Sequence, residues 1–278
     1  MSILTVSGLC KRYPAFELRD LSFTLHPGEI SGFIGRNGAG KSTTLKSLLH
    51  FVQPDAGTIS FFDLPYEAHE QEIKQRLGFV AGGVDYYPMR PLRTISAVTR
   101  RFYPNWDDAA YRRLMALFQL DERKTPAQLS AGMRVKYALT LALSHHAELL
   151  LLDEPTSGLD PISRDEVLDL LLQLRREGVT ILFSTHITSD LEQCADRILY
   201  LRAGQLAADA TLEAFAATYR LVEIPEGTPV PEGLIGCKPA KHGQTALIPT
   251  EQVGRLNLPT KPADLSAIMV HLEKEALQ

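Results

Sequence analysis

The chain has 278 residues, 45% of them hydrophobic and 22% charged, an ordinary balance for a soluble globular protein of one to two domains. Its formal net charge of −4 gives no basic excess, which argues against a nucleic-acid surface, and no nucleic-acid partner is expected. Its apolar runs are interrupted by charges and fall short of the roughly 20 residues that span a bilayer. The start of the chain lacks the features of a signal peptide, and the three cysteines lack metal-type spacing, so we expect reduced thiols in a cytosol.

The first elements surround a glycine-rich segment. Residues 3–6 and 21–25 alternate like half-buried strands, and residues 30–34 form a short apolar run. Glycines follow, and then a pattern with helical spacing at residues 41–51. A strand, a glycine-rich loop and a helix in this order are the context of a phosphate-binding loop.

The remaining elements are predicted from periodicity and from turn residues. In chain order they are a strand at 58–62, a mainly helical insertion at 86–146, strands at 149–152 and 180–183 around a helix at 164–177, a helical stretch at 207–220, strands at 220–224 and 245–248, and a helix at 263–277. Alternating strands and helices favour a mainly parallel sheet covered by helices, with residues 211–278 as a small appended α+β module.

The glycine-rich segment has the spacing Gly35-x4-Gly40-Lys41-Ser42. Glycines there let the backbone turn its N–H groups around the β- and γ-phosphates, and the following helix adds its positive N-terminus. Lys41 adds a positive charge to the phosphates, and the Ser42 hydroxyl is placed to bind Mg²⁺. The segment therefore predicts a nucleoside triphosphate site with a metal.

Polar residues follow two apolar strands. Asp153 and Glu154 come after four leucines, and His186 ends the run at residues 181–186. Ligands bind at the carboxyl ends of such strands, so Asp153 is expected to hold the metal through water and Glu154 to orient or deprotonate the attacking water. His186 could then bind the γ-phosphate and help to place Glu154. The plainer interpretations are a solvated acidic pair and a structural histidine.

Five elements occur in a fixed order: the phosphate loop at residues 35–43 (Walker A), Leu129-Ser130-Ala131-Gly132-Met133, the leucine strand ending in Asp153 (Walker B) with the trailing Glu154, Ser157-Gly158-Leu159-Asp160, and the strand ending in His186. This order resembles the nucleotide-binding subunit of an ATP-binding cassette (ABC) transporter over about residues 1–210. The resemblance implies an α/β P-loop NTPase with a RecA-like core, an antiparallel β subdomain and a helical subdomain at about 85–146. It leaves residues 211–278 as a C-terminal α+β extension, and it implies ATP and Mg²⁺ as cofactors.

The resemblance also implies roles for single residues. Lys41, Glu154 and His186 are the expected catalytic residues, with Ser42 and Asp153 at Mg²⁺. The residues expected at ATP are Tyr13, Gly35, Asn37, Gly38, Ala39, Gly40, Lys41, Ser42, Thr43, Ser130, Gly132 and Asp160. Among these, Tyr13 matches the aromatic that stacks on adenine, and Asp160 matches a loop that contacts the other subunit. Ser130 and Gly132 match residues that touch the ATP held by the second subunit of a head-to-tail dimer.

Two positions depart from the family pattern. Ala131 and Met133 replace the third and fifth residues of the usual Leu-Ser-Gly-Gly-Gln signature, while Ser130, Gly132 and the following helix start are retained. Anion binding by that helix start should therefore persist. Gly82 stands where the family usually has Gln, which puts the usual Mg²⁺ contact of that loop, and the coupling to the membrane subunit, in question.

Other stretches, among them Phe102-Tyr103-Pro104-Asn105-Trp106-Asp107, resemble a bacterial subfamily that is often encoded beside a GntR-type regulator. The resemblance implies a cytoplasmic ATPase subunit, peripheral at the inner face of the cell membrane, that drives a separate membrane permease. Its partner at the nucleotide would be a second copy or a second ABC ATPase subunit. The alternatives are a soluble ABC ATPase of DNA repair or translation, and a nucleotide-dependent scaffold with little turnover.

Overall fold

A computed structural model describes residues 2–81 and 87–275 of the chain. The strands in these residues are β1 Leu4–Tyr13, β2 Phe16–Leu25, β3 Ile30–Ile34, β4 Ala56–Phe61, β5 Leu64–Pro65, β6 Leu77–Ala81, β7 Leu149–Asp153, β8 Thr180–Thr185, β9 Arg197–Arg202, β10 Gln205–Thr211, β11 Tyr219–Ile224, β12 Ile235–Ala240, β13 Gly243–Pro249 and β14 Thr260–Pro262. The helices are α1 Lys41–Leu48, α2 Tyr66–Gln75, α3 Leu92–Thr99, α4 Asp108–Leu117, α5 Ala131–Leu143, α6 Pro161–Arg176, α7 Thr188–Cys194, α8 Leu212–Ala217 and α9 Leu265–Glu275. Among these helices, none has both the length and the apolar character needed to cross a membrane.

The centre of the molecule is a six-stranded sheet in the order β10-β9-β3-β8-β7-β6. Its strands run parallel except β10, which pairs antiparallel with β9 at one edge. Every residue of β3, β7 and β8 is buried, as expected for strands that are covered on both faces. The predicted mainly parallel sheet is therefore confirmed, and its carboxyl edge carries the ends of these three strands.

Two further layers flank this sheet. Strands β1, β2, β4 and β5 form an antiparallel sheet in the order β2-β1-β4-β5, which shares one apolar core with the central sheet. Helices α3, α4 and α5 surround a smaller core of their own, in which Tyr111 and Tyr137 both hydrogen-bond the buried Ser96 hydroxyl. The predicted antiparallel β layer and helical layer are both present.

The predicted helix over residues 207–220 is wrong in its first part. Residues 207–211 lie in β10, where Ala208 pairs with Tyr200 and Ala210 with Ile198. Exposure alternates along β10 with the two-residue period of a strand, so the pairing with β9 outweighs the helical propensity of alanine. The helix α8 begins only after Thr211, whose hydroxyl accepts a hydrogen bond from the amide of Ala214.

The last part of the chain forms a third, antiparallel sheet in the order β12-β13-β11-β14, with α9 packed on it. Helix α9 also contacts α7, and the amide of Leu265 donates to the carboxylate of Glu192 at 2.6 Å. Its buried residues Ile268 and Met269 belong to the same apolar cluster as Ile198 of the central sheet. The terminal elements are therefore packed against the core that positions the site.

Candidate active site

The glycine-rich loop joins β3 to α1 at the carboxyl edge of the central sheet. Gly38 and Gly40 have φ angles of 84° and 113°, a region that side chains other than glycine rarely adopt. A Cβ atom on Gly40 would lie 2.7 Å from Cζ of Phe16, and one on Gly35 would lie 2.3 Å from the carbonyl oxygen of Leu201. The loop is thus held close to β2 and β9, with glycine required at both contacts.

Lys41 begins α1, and its side chain is only 6% exposed. Its ammonium group donates to the carbonyl oxygen of Gly35 at 2.8 Å and to that of Arg36 at 3.4 Å. The carboxylate of Glu154 lies 3.5 Å away. The loop is folded around the lysine, so the structure places this cation beside both the loop and the acid after β7.

A serine, an aspartate and a second serine meet next to it. The hydroxyls of Ser42 and Ser184 donate to the same oxygen of Asp153, at 3.0 and 2.6 Å. These are hard oxygen donors, the kind Mg²⁺ prefers when phosphates and water complete its coordination. Carboxylate and hydroxyl oxygens suit Mg²⁺ better than a soft metal, which prefers sulfur or imidazole ligands.

Glu154 has an unusual backbone. Its φ angle of 53° is left-handed, a conformation that costs of order 1–3 kcal/mol for a residue other than glycine. The amide of Glu154 donates to the carbonyl oxygen and to the hydroxyl of Ser184, both at 3.1 Å, and these bonds offset that cost. Its carboxylate lies 2.8 Å from Nδ1 of His186, so Lys41, Glu154 and His186 form one cluster.

These groups border a pocket of about 490 Å³. Its lining residues are Phe16, Asn37, Gly38, Gly40, Lys41, Ser42, Thr43, Glu154, Ser157 and His186. The predicted residues Gly35 and Ala39 lie behind this lining, where Gly35 accepts from Lys41 and Ala39 is buried.

Two residues at this edge, Phe16 and Ser184, were missed in the sequence, while Ser157 belongs to a motif that was recognised but was not itself assigned to the nucleotide. Ser184 lies two residues before His186 in a strand that was predicted, so its position along that strand could have indicated it. Phe16 pairs with Tyr13 across the β1–β2 hairpin, and its place as an aromatic residue next to the turn could have indicated it. Tyr13 itself is 43% exposed and lies outside the described lining, so its stacking on adenine stays a prediction.

Ser130, Gly132 and Asp160 lie outside this pocket lining and form a second group. Ser130 is exposed and caps α5, accepting a hydrogen bond from the amide of Met133. Asp160 caps α6, and hydrogen bonds from Ser163 hold the pKa of this carboxyl below its usual value. A Cβ atom on Gly132 would lie 2.9 Å from Cβ of Ser163, so the two helix starts pack together. Gly82, the remaining departure, lies outside the described residues.

Comparison with known proteins agrees with this arrangement. The family model described as "ABC transporter" matches residues 18–157. The chain is 30% identical to the ABC transporter ATP-binding protein YtrB of Bacillus subtilis (strain 168), over 77% of this chain and 73% of that protein. It is 32% identical to the bacitracin transport ATP-binding protein BcrA of Bacillus licheniformis, over 74% of this chain and 68% of that protein.

A solved structure titled "Structure of ATP binding subunit of ABC transporter" superposes with a TM-score of 0.69 at 29% identity, covering 77% of this chain and 91% of that one. The P-loop NTPase fold predicted from the sequence is therefore confirmed. Since the family model spans half of the chain and the relatives carry the same cassette, this chain belongs to the ABC transporter family, as an ATP-binding ATPase subunit.

Proposed function

We propose that this ATPase subunit works with Mg²⁺, dimerises around ATP, and drives a separate integral membrane permease from the cytoplasmic face of the membrane. The observation that carries the proposal is the cluster of Lys41, Glu154 and His186 beside the pair Ser42 and Asp153. One pocket thus combines a cation for phosphates, a base for water and hard oxygens for a metal.

The residues have separable tasks in this proposal. Lys41 and the amides of the loop bind the phosphates, and the N-terminus of α1 adds its positive end. Glu154 orients the attacking water or takes its proton, while His186 holds the Glu154 carboxylate in place. Ser42 and Asp153 would hold Mg²⁺, which neutralises charge on the phosphates when bound.

The second group of residues supports a dimer. Ser130 is exposed at the start of α5 and does not line the pocket of its own chain, although a helix N-terminus is suited to an anion. We propose that Ser130 and Gly132 contact the ATP of a partner cassette, with Asp160 near the same seam. That partner is a second copy of this chain or another ABC ATPase subunit, which makes each site incomplete without it.

The names of the relatives support the permease. YtrB and the bacitracin protein are named as ATP-binding proteins of transport systems, and by family membership we extend that arrangement to this chain. We propose residues 1–210 as the ATPase domain, with a helical subdomain at about 85–146, and residues 211–278 as an accessory domain. The similarity to a subfamily found beside GntR-type regulators leads us to propose that the gene lies next to a permease gene and such a regulator.

Glu154→Gln tests the chemistry of this proposal. Removing the carboxylate should lower kcat for ATP by about 10²–10⁴-fold, the usual contribution of a general base, because the amide cannot accept the proton. ATP-induced dimerisation should persist, since Lys41 and Ser130 remain. Phosphate release with and without Mg²⁺ measures the first effect, and light scattering after size-exclusion chromatography measures the second.

Glu148→Gln is the matched control, since Glu148 precedes the same strand, β7, and pairs with Arg76 at the opposite edge of the sheet. It should keep wild-type turnover. A wild type that binds ATP without hydrolysing it would favour the scaffold. A pull-down with this protein from detergent-solubilised membranes should recover a multi-span membrane protein. Recovery of ribosomes instead would contradict the proposed permease partner.

A further inference from the structure

The last helix reaches the phosphate loop through Glu273. One oxygen of this carboxylate lies 3.8 Å from the guanidinium of Arg36, the residue that follows Gly35 in the loop. Its other oxygen accepts a hydrogen bond from the hydroxyl of Tyr200 at 2.7 Å. The Glu273 side chain is 15% exposed and the Arg36 side chain is 57% exposed, so the ion pair is partly open to water.

Strand β9 completes the connection between α9 and the loop. Tyr200 and Arg202 both lie on β9, and Arg202 donates to the carbonyl oxygen of Leu272 near the end of α9. A cation there complements the negative end of a helix. Burial, and then the hydrogen bond to Glu273, raise the pKa of Tyr200, so its hydroxyl remains a protonated donor.

Arg36 is central to the shape of the loop. Its carbonyl oxygen accepts from the ammonium group of Lys41 at 3.4 Å and from the amide of Ala39 at 3.0 Å. A displacement of Arg36 would therefore disturb one hydrogen bond of Lys41 and one of Ala39 within the loop. Whatever restrains the Arg36 side chain also restrains the position of Lys41.

We propose that Glu273 is a positioning residue for ATP binding: it holds Arg36, and through Arg36 the phosphate loop, in the conformation that receives the triphosphate. This inference rests on the ATPase function assigned above. It makes α9 part of the apparatus that prepares the nucleotide site, although α9 contributes nothing to the pocket lining. A loop that is already ordered loses less conformational entropy when it binds its ligand, so we expect the loss of Glu273 to lower the affinity for ATP.

If Glu273 had a different role, its removal would change the affinity for ATP in the opposite direction. If its carboxylate acted only as a negative charge near the phosphates, removing the charge would strengthen ATP binding. If it positions Arg36, removing it would weaken ATP binding. The direction of the change in KM therefore separates the two roles.

Glu273→Gln in the full-length chain tests the proposal. We expect KM for ATP to rise about two- to fivefold, the range for a partly exposed ion pair, with kcat within about twofold of wild type. The control is Glu275→Gln on the same helix, where the carboxylate accepts from the amide of Gly236 and contacts no part of the loop. It should leave KM unchanged.

A double-mutant cycle with Arg36→Ala separates positioning from a general effect on folding. In the Arg36→Ala background, Glu273→Gln should cause no further rise in KM, because its partner is already gone. An equal rise in both backgrounds, an unchanged KM or a lowered KM would each overturn the inference. A wild type without ATPase activity would instead refute the function itself, so the two failures are distinguishable.

Discussion

At the scale of single residues, Ser184 contributes more to the site than its position in the sequence suggests. Its hydroxyl donates to Asp153, and both its hydroxyl and its carbonyl oxygen accept from the amide of Glu154. The parallel register of β7 and β8 sets Ser184 opposite Asp153. One serine thus orients both Asp153, which we propose holds the metal, and Glu154, which we propose activates the water.

Ser184→Ala should therefore lower kcat by about tenfold, since the loss of one buried hydrogen bond to a charged group is of order 1–3 kcal/mol and about 1.4 kcal/mol is tenfold in rate. Steady-state phosphate release measures this change. The matched control is Ser31→Ala, a buried serine on the neighbouring strand β3 that bonds Glu29 instead of the site. Equal losses in the two variants would indicate a general effect of removing a buried hydroxyl.

At the scale of elements, the strands and helices that have a distinct local pattern are predictable from the sequence. The strands β3, β7 and β8 are nearly continuous apolar runs, and the phosphate loop follows one of them, so the residues expected to be catalytic could be placed at one sheet edge. The alanine-rich strand β10 was predicted as helix, because the pairing with β9 that makes it a strand is a tertiary contact without a local pattern. Phe16 and Ser184 carry only indirect signals in the sequence, because strand pairing is what brings them to the site.

Helix caps allow a test of the proposed dimer. Ser130 caps α5, and Asp107 caps α4 in the same helical layer, accepting from the amides of Ala109 and Ala110. Replacing either cap by Ala should lower the free energy of unfolding by about 1 kcal/mol, the usual cost of a lost cap. Only Ser130→Ala should also weaken ATP-induced dimerisation, because only Ser130 is proposed to contact the partner's nucleotide.

Chemical denaturation measures the first effect, and sedimentation of the Glu154→Gln form with ATP measures the second. Equal dimerisation of the Ser130→Ala and Asp107→Ala forms would contradict the assignment of Ser130 to the dimer seam.

At the scale of the whole molecule, the apolar core continues into the carboxyl-terminal elements. Ile268 of α9 is fully buried in the cluster that includes Ile198 and Phe183 of the central sheet. The composition of the sequence changes after residue 206, which predicted an appended module, but composition alone could not indicate how closely that module would pack. The fold class was predictable from local patterns, whereas this shared core depends on contacts between distant parts of the chain.

We therefore expect the molecule to unfold as one cooperative unit. Ile268→Ala should lower the free energy of unfolding by about 2–5 kcal/mol, as is usual for a large aliphatic residue in a core. Trp106, the one tryptophan of the chain, lies in the helical layer and reports the transition by fluorescence. The transition seen by Trp106 should shift in this variant, even though the substitution is on α9.

Val270→Ala is the control on the same helix, because Val270 is 43% exposed and its loss should change stability by less than about 0.5 kcal/mol. An unshifted Trp106 transition in the Ile268→Ala form, with α9 melting separately, would show that the terminal elements are an independent unit.

The contact between Arg36 and Glu273 also has a consequence for biosynthesis. Arg36 is synthesised before α9, which is the last described element to be made. At about 5–20 residues per second, the loop exists for on the order of ten seconds or more before Glu273 is available to contact Arg36. During that interval the apolar faces that α9 will cover are open to chaperones and proteases. A product of translation interrupted before α9 would carry every motif for ATP and still lack this support, which makes completion of α9 a natural point for quality control.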